Sequence, residues 1–259
     1  MPVANTDTLR VVITGASSGI GRALAQHYAS RGAILALIGR RRDALEALAA
    51  SLPGSLAYAA DVRDAAALGA AARDFLQRVG PPDIVIASAG VSAGNHTADP
   101  ADNAVFEEIL ATNVGGMMLS FQPFVEAMKA RGSGSLVGVA SVAGFRGLPG
   151  ASAYSASKAA AIAYLESLRV ELRGSGVRVI TICPGYVATP MTAGNRYPMP
   201  FLMPADAAAR SIALAIDRGR RFHVLPWQMA LLGWLLRRVP RPLYDRVFAR
   251  APRKARRTP

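Results

Sequence analysis

Six short runs of this chain are apolar almost from end to end, and a longer segment with helical spacing follows each of them. The runs are Leu9–Thr14, Ala33–Ile38, Ser55–Ala60, Asp83–Ser88, Ser135–Ala140 and Val177–Cys183, with a shorter one at Arg221–Leu225. A strand with one wet face alternates apolar and polar residues; a strand that does not alternate is covered on both faces. The segments between them, such as Arg22–Ser30, Asp43–Ser51, Ala65–Arg78 and Ser155–Arg173, are rich in Ala, Leu, Arg and Glu. Strand–helix repetition of this kind predicts a doubly wound α/β fold: a parallel sheet of about seven strands, helices on both faces, right-handed crossovers. No linker divides the chain, so residues 1–259 are expected to form one domain.

With 51% hydrophobic and 18% charged residues, the chain is globular rather than disordered. Cys183 is the only cysteine, which excludes an intramolecular disulfide framework; a thiol in an apolar run reads as core rather than nucleophile. Nothing before Leu9 reads as a signal peptide, so a cytoplasmic protein is expected. Of the net charge of +13, +8 falls in residues 237–257, where nine arginines and lysines face Asp245 alone. Such a tail is either a solvated, partly disordered end or a contact for an anionic surface such as lipid headgroups; nucleic acid is the less expected partner.

The stretch YPMPFLMP, Tyr197–Pro204, breaks the rhythm, because its prolines fit neither a regular helix nor an inner strand. It is either an ordinary ordered loop or a lid over an apolar substrate.

After the first run comes TGASSGIG, Thr14–Gly21. Gly15, Gly19 and Gly21 allow a tight turn and a close approach of pyrophosphate, with Ser17, Ser18 and Ile20 between them. The following helix N-terminus offers unpaired N–H groups and partial positive charge. Further on, AYSASKAA places Tyr154 and Lys158 four residues apart, on one face of a helix. A free phenol ionises near ~10. A neighbouring ammonium together with a positive nicotinamide would stabilise the phenolate and make Tyr154 a proton donor to a carbonyl oxygen, and an acceptor in the reverse direction. Ser141 ends the run LVGVAS at the sheet edge where ligands of open α/β sheets bind, placed to donate to a substrate oxygen. Asn113, in ATNVGG, lies in a helical segment, where an amide is present for a hydrogen bond or a water relay.

The glycine loop, Asn113, Ser141, Tyr154 and Lys158 resemble, in order and spacing, the core of the short-chain dehydrogenase/reductase family over roughly residues 9–190. The resemblance implies a Rossmann-like oxidoreductase of carbonyls and secondary alcohols, assembled as a homodimer or homotetramer, with no metal. It implies Tyr154 as acid/base, Ser141 as its substrate-orienting partner, Lys158 on the nicotinamide ribose, and Asn113 on a relay water. It also implies adenine contacts from Asp61 and Val62, and a turn beside the nicotinamide at Pro184–Met191, with Pro184, Gly185, Val187 and Thr189. One position departs: the family's Asn-Ala-Gly after the fourth strand reads here Ser88, Ala89, Gly90. These are retained as cofactor contacts, at a modest local cost, because serine makes fewer hydrogen bonds than asparagine.

An NAD-preferring site carries an acidic side chain at the end of the second strand, on the ribose hydroxyls. Here that strand ends in Gly39 and Arg40, followed by Arg41 and Arg42. A guanidinium fits a 2′-phosphate that a carboxylate would repel, so Arg40, helped by Arg41, points to NADP, with Arg42 a solvated helix start.

From Pro226 the chain reads as an apolar helix stopped near Pro240, then a second, amphipathic one. The first is too short to span a membrane, and its apolar surface must be covered by the domain, a second subunit or a bilayer surface. Trp227 and Trp234 beside arginines suggest peripheral membrane contact and a hydrophobic substrate. The alternative function is an NADP-binding regulator that uses its basic tail on a partner, RNA or a membrane.

Overall fold

Strands that are apolar on both sides need cover on both sides. The computed structural model, which describes residues 8–195, 197–251 and 254–256, supplies it. The strands are β1 (Arg10–Thr14), β2 (Ile34–Gly39), β3 (Ser55–Ala59), β4 (Ile84–Ala87), β5 (Gly134–Val139), β6 (Val177–Pro184) and β7 (Phe222–Leu225). Each boundary lies within one residue of the corresponding apolar run. The helices are α1 (Gly19–Ala29), α2 (Arg42–Ser51), α3 (Ala65–Arg78), α4 (Asn103–Leu110), α5 (Gly116–Arg131), α6 (Ser152–Glu171), α7 (Pro190–Ala193), α8 (Ala205–Asp217), α9 (Trp227–Arg238) and α10 (Arg241–Phe248).

All pairings are parallel, in the order β3-β2-β1-β4-β5-β6-β7. Because side chains alternate along a strand, neighbouring residues serve opposite cores. Val11, Ile13, Leu35, Leu37, Ile180 and Ile182 join Leu24 of α1, Leu45 of α2 and Ile212 of α8. Val12, Ala36, Val85, Leu136 and Val179 join Phe75 of α3, Phe121 of α5 and Leu165 of α6. Cys183 lies in this second core, fully buried, and burial pushes its thiol up to about 12: it is a core residue, as the apolar run predicts.

The strand order reverses between β1 and β4, which opens a crevice at the C-terminal ends of these strands. Two segments near it were legible only in outline. The helical segment around Asn113 is interrupted: Ala111–Gly115 forms a π-turn between α4 and α5, a device that widens a helix locally and recurs at functional sites. The Tyr197–Pro204 stretch is anchored through Met203, whose N–H donates to Tyr186 O at 3.0 Å and whose carbonyl accepts from Ala188 N–H at 2.8 Å. Phe201, at φ +58°, and Leu202 remain exposed.

The C-terminal helices α9 and α10 break at Pro240 as the sequence predicts. Met229 and Gly233 turn inward: a Cβ on Gly185 would lie 2.7 Å from Met229 Cγ, and one on Gly233 would run into the Phe145 ring. Arg146 fastens the end of α9, donating to Leu236 O and Val239 O at 3.1 Å each. Among the described residues no helix is long and apolar enough to cross a membrane. The N-terminal residues read for a signal peptide, residues 1–7, lie outside the described residues, as do Arg253 and Arg257 of the basic tail.

Candidate active site

The glycine loop is wound so tightly that its side chains must be missing. Gly15 and Gly19 sit at φ +69° and +56°, where glycine carries no Cβ penalty. A Cβ on Gly15 would lie 2.8 Å from Ala89 Cα, and one on Gly21 would strike Gly15 O. The loop therefore packs backbone to backbone on the Ser88–Gly90 turn that ends β4. There Thr14 Oγ1 accepts from Ala89 N–H at 3.4 Å, tying β1 to β4 beside the serine that stands where an asparagine is usual. Ser18, the N-cap of α1, makes no side-chain cap bond, so the first-turn N–H groups of α1 are left for an anion.

Across the crevice, Ser141 stands two residues beyond the end of β5, and its hydroxyl accepts from Ala143 N–H at 3.1 Å in the turn Val142–Gly144. Gly144 lets that turn touch the backbone of α6: a Cβ there would lie 2.7 Å from the carbonyl carbon of Lys158 and 2.8 Å from Ala159 N. This contact puts Tyr154 and Lys158 beside Ser141. Lys158 is buried and donates from Nζ to Val139 O at 2.9 Å, with its ammonium 5.7 Å from the Tyr154 ring centre. Burial holds the Lys158 ammonium down at about 8. Burial also pushes the Tyr154 phenol above its ordinary value, while the neighbouring Ser141 hydroxyl acts the other way. The protein's own groups thus do not supply the lowering of Tyr154 expected from a neighbouring ammonium, and burial sets the direction.

Asn113, fully buried in the π-turn, uses both ends of its amide. Oδ1 accepts from Val91 N–H at 2.8 Å, and Nδ2 donates to Val91 O at 3.0 Å and to Ser157 Oγ at 2.9 Å. It stands behind the crevice and clamps the turn after β4 to α6. The other candidate catalytic and cofactor-binding residues line one cleft of about 350 Å³: Gly15, Ser17 to Gly21, Arg40 and Arg41, Asp61 and Val62, Ser88 to Gly90, Ser141, Tyr154, Lys158, Pro184, Gly185, Val187 and Thr189. The loop after β6 faces the glycine loop, for a Cβ on Gly19 would lie 3.2 Å from Thr189 Cγ2.

The arginines divide. Arg41 donates to Ser17 O at 3.0 Å and to Ser17 Oγ at 3.2 Å, so it braces the glycine loop. Arg40 is 56% exposed and lies 4.0 Å from Glu108 Oε1; an exposed pair of this kind contributes little. Arg42 opens α2 and pairs with Glu46 one turn on, the solvated helix start expected of it. Asp61 holds a two-pronged pair with Arg63, and that hydrogen-bonded guanidinium keeps its carboxyl below the usual range.

Sequence reasoning missed Val91, Thr112, Val139, Ala140 and Thr192 as cleft walls. Val139 and Ala140 end an apolar run and carried no polar signal. Thr112 adjoins Asn113, and its Oγ1 is buried without a hydrogen-bond partner among the described residues. An orphaned acceptor and donor on the cleft wall, a bare helix N-terminus and a loop stripped of Cβ atoms together fit a dinucleotide.

The model of the short chain dehydrogenase family matches residues 10–199. The chain belongs to that family. An uncharacterized oxidoreductase of Myxococcus xanthus is 42% identical over 238 residues, 90% of this chain and 94% of its own. Galactitol 2-dehydrogenase (L-tagatose-forming) of Cereibacter sphaeroides is 40% identical over 194 residues, 73% of this chain and 76% of its own. Among solved structures, a short-chain dehydrogenase from Streptomyces avermitilis superposes with a TM-score of 0.80 at 27% identity, covering 89% of this chain and 93% of that one. An alcohol dehydrogenase from Thermococcus sibiricus complexed with 5-hydroxy-NADP (TM-score 0.77, 26% identity, 85% of this chain and 96% of that one) is similar too. So is a 3-ketoacyl-(acyl-carrier-protein) reductase from Brucella melitensis complexed with NADH (TM-score 0.77, 26% identity, 83% and 94%). This short-chain dehydrogenase is therefore an oxidoreductase acting between CH–OH and C=O groups with a nicotinamide cofactor.

The described end of its basic tail is not merely solvated. Arg256 pairs with Asp99 and Asp102, Gly94 N–H donates to Ala255 O at 2.9 Å, and the Lys254 ammonium lies 5.8 Å from the Tyr154 ring centre. Two acids in ADPAD and a glycine that admits the backbone draw the chain end back toward Tyr154, a long-range pairing that composition does not reveal.

Gly144→Ala tests the backbone contact that aligns Ser141 with α6. It is expected to cost about 1–3 kcal/mol of stability and, by displacing the turn, about 100-fold in kcat/KM; urea unfolding and steady-state rates on the same preparation measure both.

Proposed function

We propose that this enzyme transfers a hydride between NADP(H) and a hydrophobic ketone or secondary alcohol, with Tyr154 as acid/base. The observation that carries this reading is the convergence of Tyr154, Ser141 and Lys158 at the end of β5, across the cleft from the glycine loop. When bound, the nicotinamide supplies the hydride-transfer chemistry. Ser141 donates from Oγ to the substrate oxygen and orients it; the Tyr154 hydroxyl donates its proton to that oxygen on reduction and recovers it on oxidation. Lys158 binds the ribose hydroxyls through Nζ and, with the positive oxidised cofactor, offsets the burial that raises the phenol. Asn113 acts as a positioning residue, and since both ends of its amide are engaged, a relay water falls to its main chain. The α1 N-terminus would hold the pyrophosphate, and Asp61 and Val62 would hold the adenine.

NADP is favoured because β2 ends without an acid. Arg41 is engaged with Ser17, which leaves Arg40 to meet the 2′-phosphate with its forked donors. An apolar substrate suits the exposed Met191, Phe201 and Leu202 beside the cleft, with Tyr197–Pro204 as its cover. The exposed Phe106, Met118 and Val170 of α4, α5 and α6 suit a homodimer or homotetramer interface. A lone cysteine suits a reducing compartment such as the cytoplasm. The regulator reading has no specific observation in its favour.

Tyr154→Phe is expected to lose at least about 100-fold in turnover while binding cofactor as before, read by NADPH oxidation over a carbonyl panel and by cofactor titration; undiminished turnover would contradict the role. Arg40→Asp is expected to move the NADPH/NADH ratio of kcat/KM toward NADH by about 100-fold, and equal use of both cofactors by the unmodified enzyme would remove the basis for the NADP assignment.

A further inference from the structure

Beyond the cleft, six of the exposed large apolar side chains among the described residues lie on the two C-terminal helices. On α9, Trp227 (70% exposed), Leu231 (60%), Trp234 (53%) and Leu235 (53%) stand at i, i+4, i+7 and i+8, one face of a helix. On α10, Leu243 and Val247 repeat the pattern at i and i+4, both more than half exposed. The inward faces of both helices are already satisfied. Met229 packs on Gly185, Gly233 on Phe145, and Tyr244 donates to Gly147 O at 2.7 Å. The outer face is therefore surplus to folding, and an apolar surface of this kind marks an interaction site.

Its rim decides the partner. Arg237, Arg238, Arg241, Arg246 and Arg250 are all exposed around it, against the single acid Asp245. Arg238 stacks on the Trp234 ring at 3.8 Å, and Arg237 on Phe145 at 4.3 Å. A two-fold contact with a second copy would bring this cationic rim against itself, which like-charge repulsion disfavours. A polyanion such as RNA would pair the arginines and leave the leucines in water. An anionic bilayer meets both demands: tryptophan and leucine enter the headgroup boundary, and arginines meet phosphate headgroups.

We propose that the outer face of α9 and α10 docks this enzyme on anionic phospholipid membranes as a peripheral protein. The helix that carries most of this face adjoins the cleft. α9 follows β7 at the C-terminal edge of the sheet, and Met229 on its inner side rests on Gly185 of the cleft wall. Docking therefore holds the C-terminal edge of the sheet, where the cleft opens, near the bilayer into which an apolar substrate partitions. The docking itself does not depend on the reaction proposed above.

The protein's two tryptophans both lie on this face, so its intrinsic fluorescence reports on the surface in question. The full-length protein is mixed with vesicles of phosphatidylcholine alone or of equal parts phosphatidylcholine and phosphatidylglycerol, without cofactor or substrate. The expected result is co-sedimentation and a blue shift of tryptophan emission with the anionic vesicles, much reduced in about 1 M salt, where screening acts within about 3 Å. Leu231→Glu with Leu235→Glu is expected to weaken partitioning by at least about tenfold, while its circular dichroism and melting temperature match the unmodified protein. Failure to bind anionic vesicles overturns the proposal. So does unaltered binding by the correctly folded double variant, or a blue shift that appears with rising protein concentration alone together with a doubled mass, which would assign the face to a second copy. Loss of turnover in Tyr154→Phe with vesicle binding intact separates the chemistry from the docking.

Discussion

The hydrogen bond from Lys158 Nζ to Val139 O joins a buried ammonium to the last residue of β5, and the site is arranged around it. A cation in so apolar a place is costly, as its ionisation near 8 records. The bond sets α6 against the sheet edge, and Gly144 permits the distance by having no side chain. From that contact follow the places of Tyr154, one turn back on α6, and of Ser141, two residues beyond Val139. The glycine loop then brings the bare end of α1 to the other side of the same cleft.

Much of this was legible because it is local. A run apolar almost throughout marks a strand with cover on both faces, so the strands and their parallel, doubly wound arrangement follow from pattern. Tyr154 and Lys158 share a face because a helix repeats every 3.6 residues, and the glycine loop declares itself by spacing. The π-turn at Asn113 was not legible: it exists because a buried amide bonds simultaneously to Val91 and Ser157, 22 and 44 residues away in sequence. The return of Arg256 to Asp99 and Asp102 was hidden for the same reason, since a basic tail and an acidic pair carry no mark of each other. The direction of the Tyr154 shift was also beyond the sequence, which places the lysine nearby without stating how strongly burial acts on the phenol.

The C-terminal edge of the sheet gathers every feature that the core does not need. The cleft, the Tyr197–Pro204 segment, the returning tail end and the outer face of α9 and α10 all depart from it, whereas Arg10 and Arg131 close the opposite edge on Asp83. Parallel topology enforces this division, because every strand delivers its last residue to the same side.

Tyr154 is held out of its working range by burial and, on this account, brought into it by the combined charge of Lys158 and oxidised nicotinamide. An ultraviolet difference titration of tyrosinate, unmodified protein minus Tyr154→Phe, isolates this one phenol from the seven tyrosines of the chain. The account predicts ionisation above ~10 for the protein alone and a fall toward neutrality on saturation with oxidised NADP. A phenol that stays above that value with the cofactor bound would contradict it.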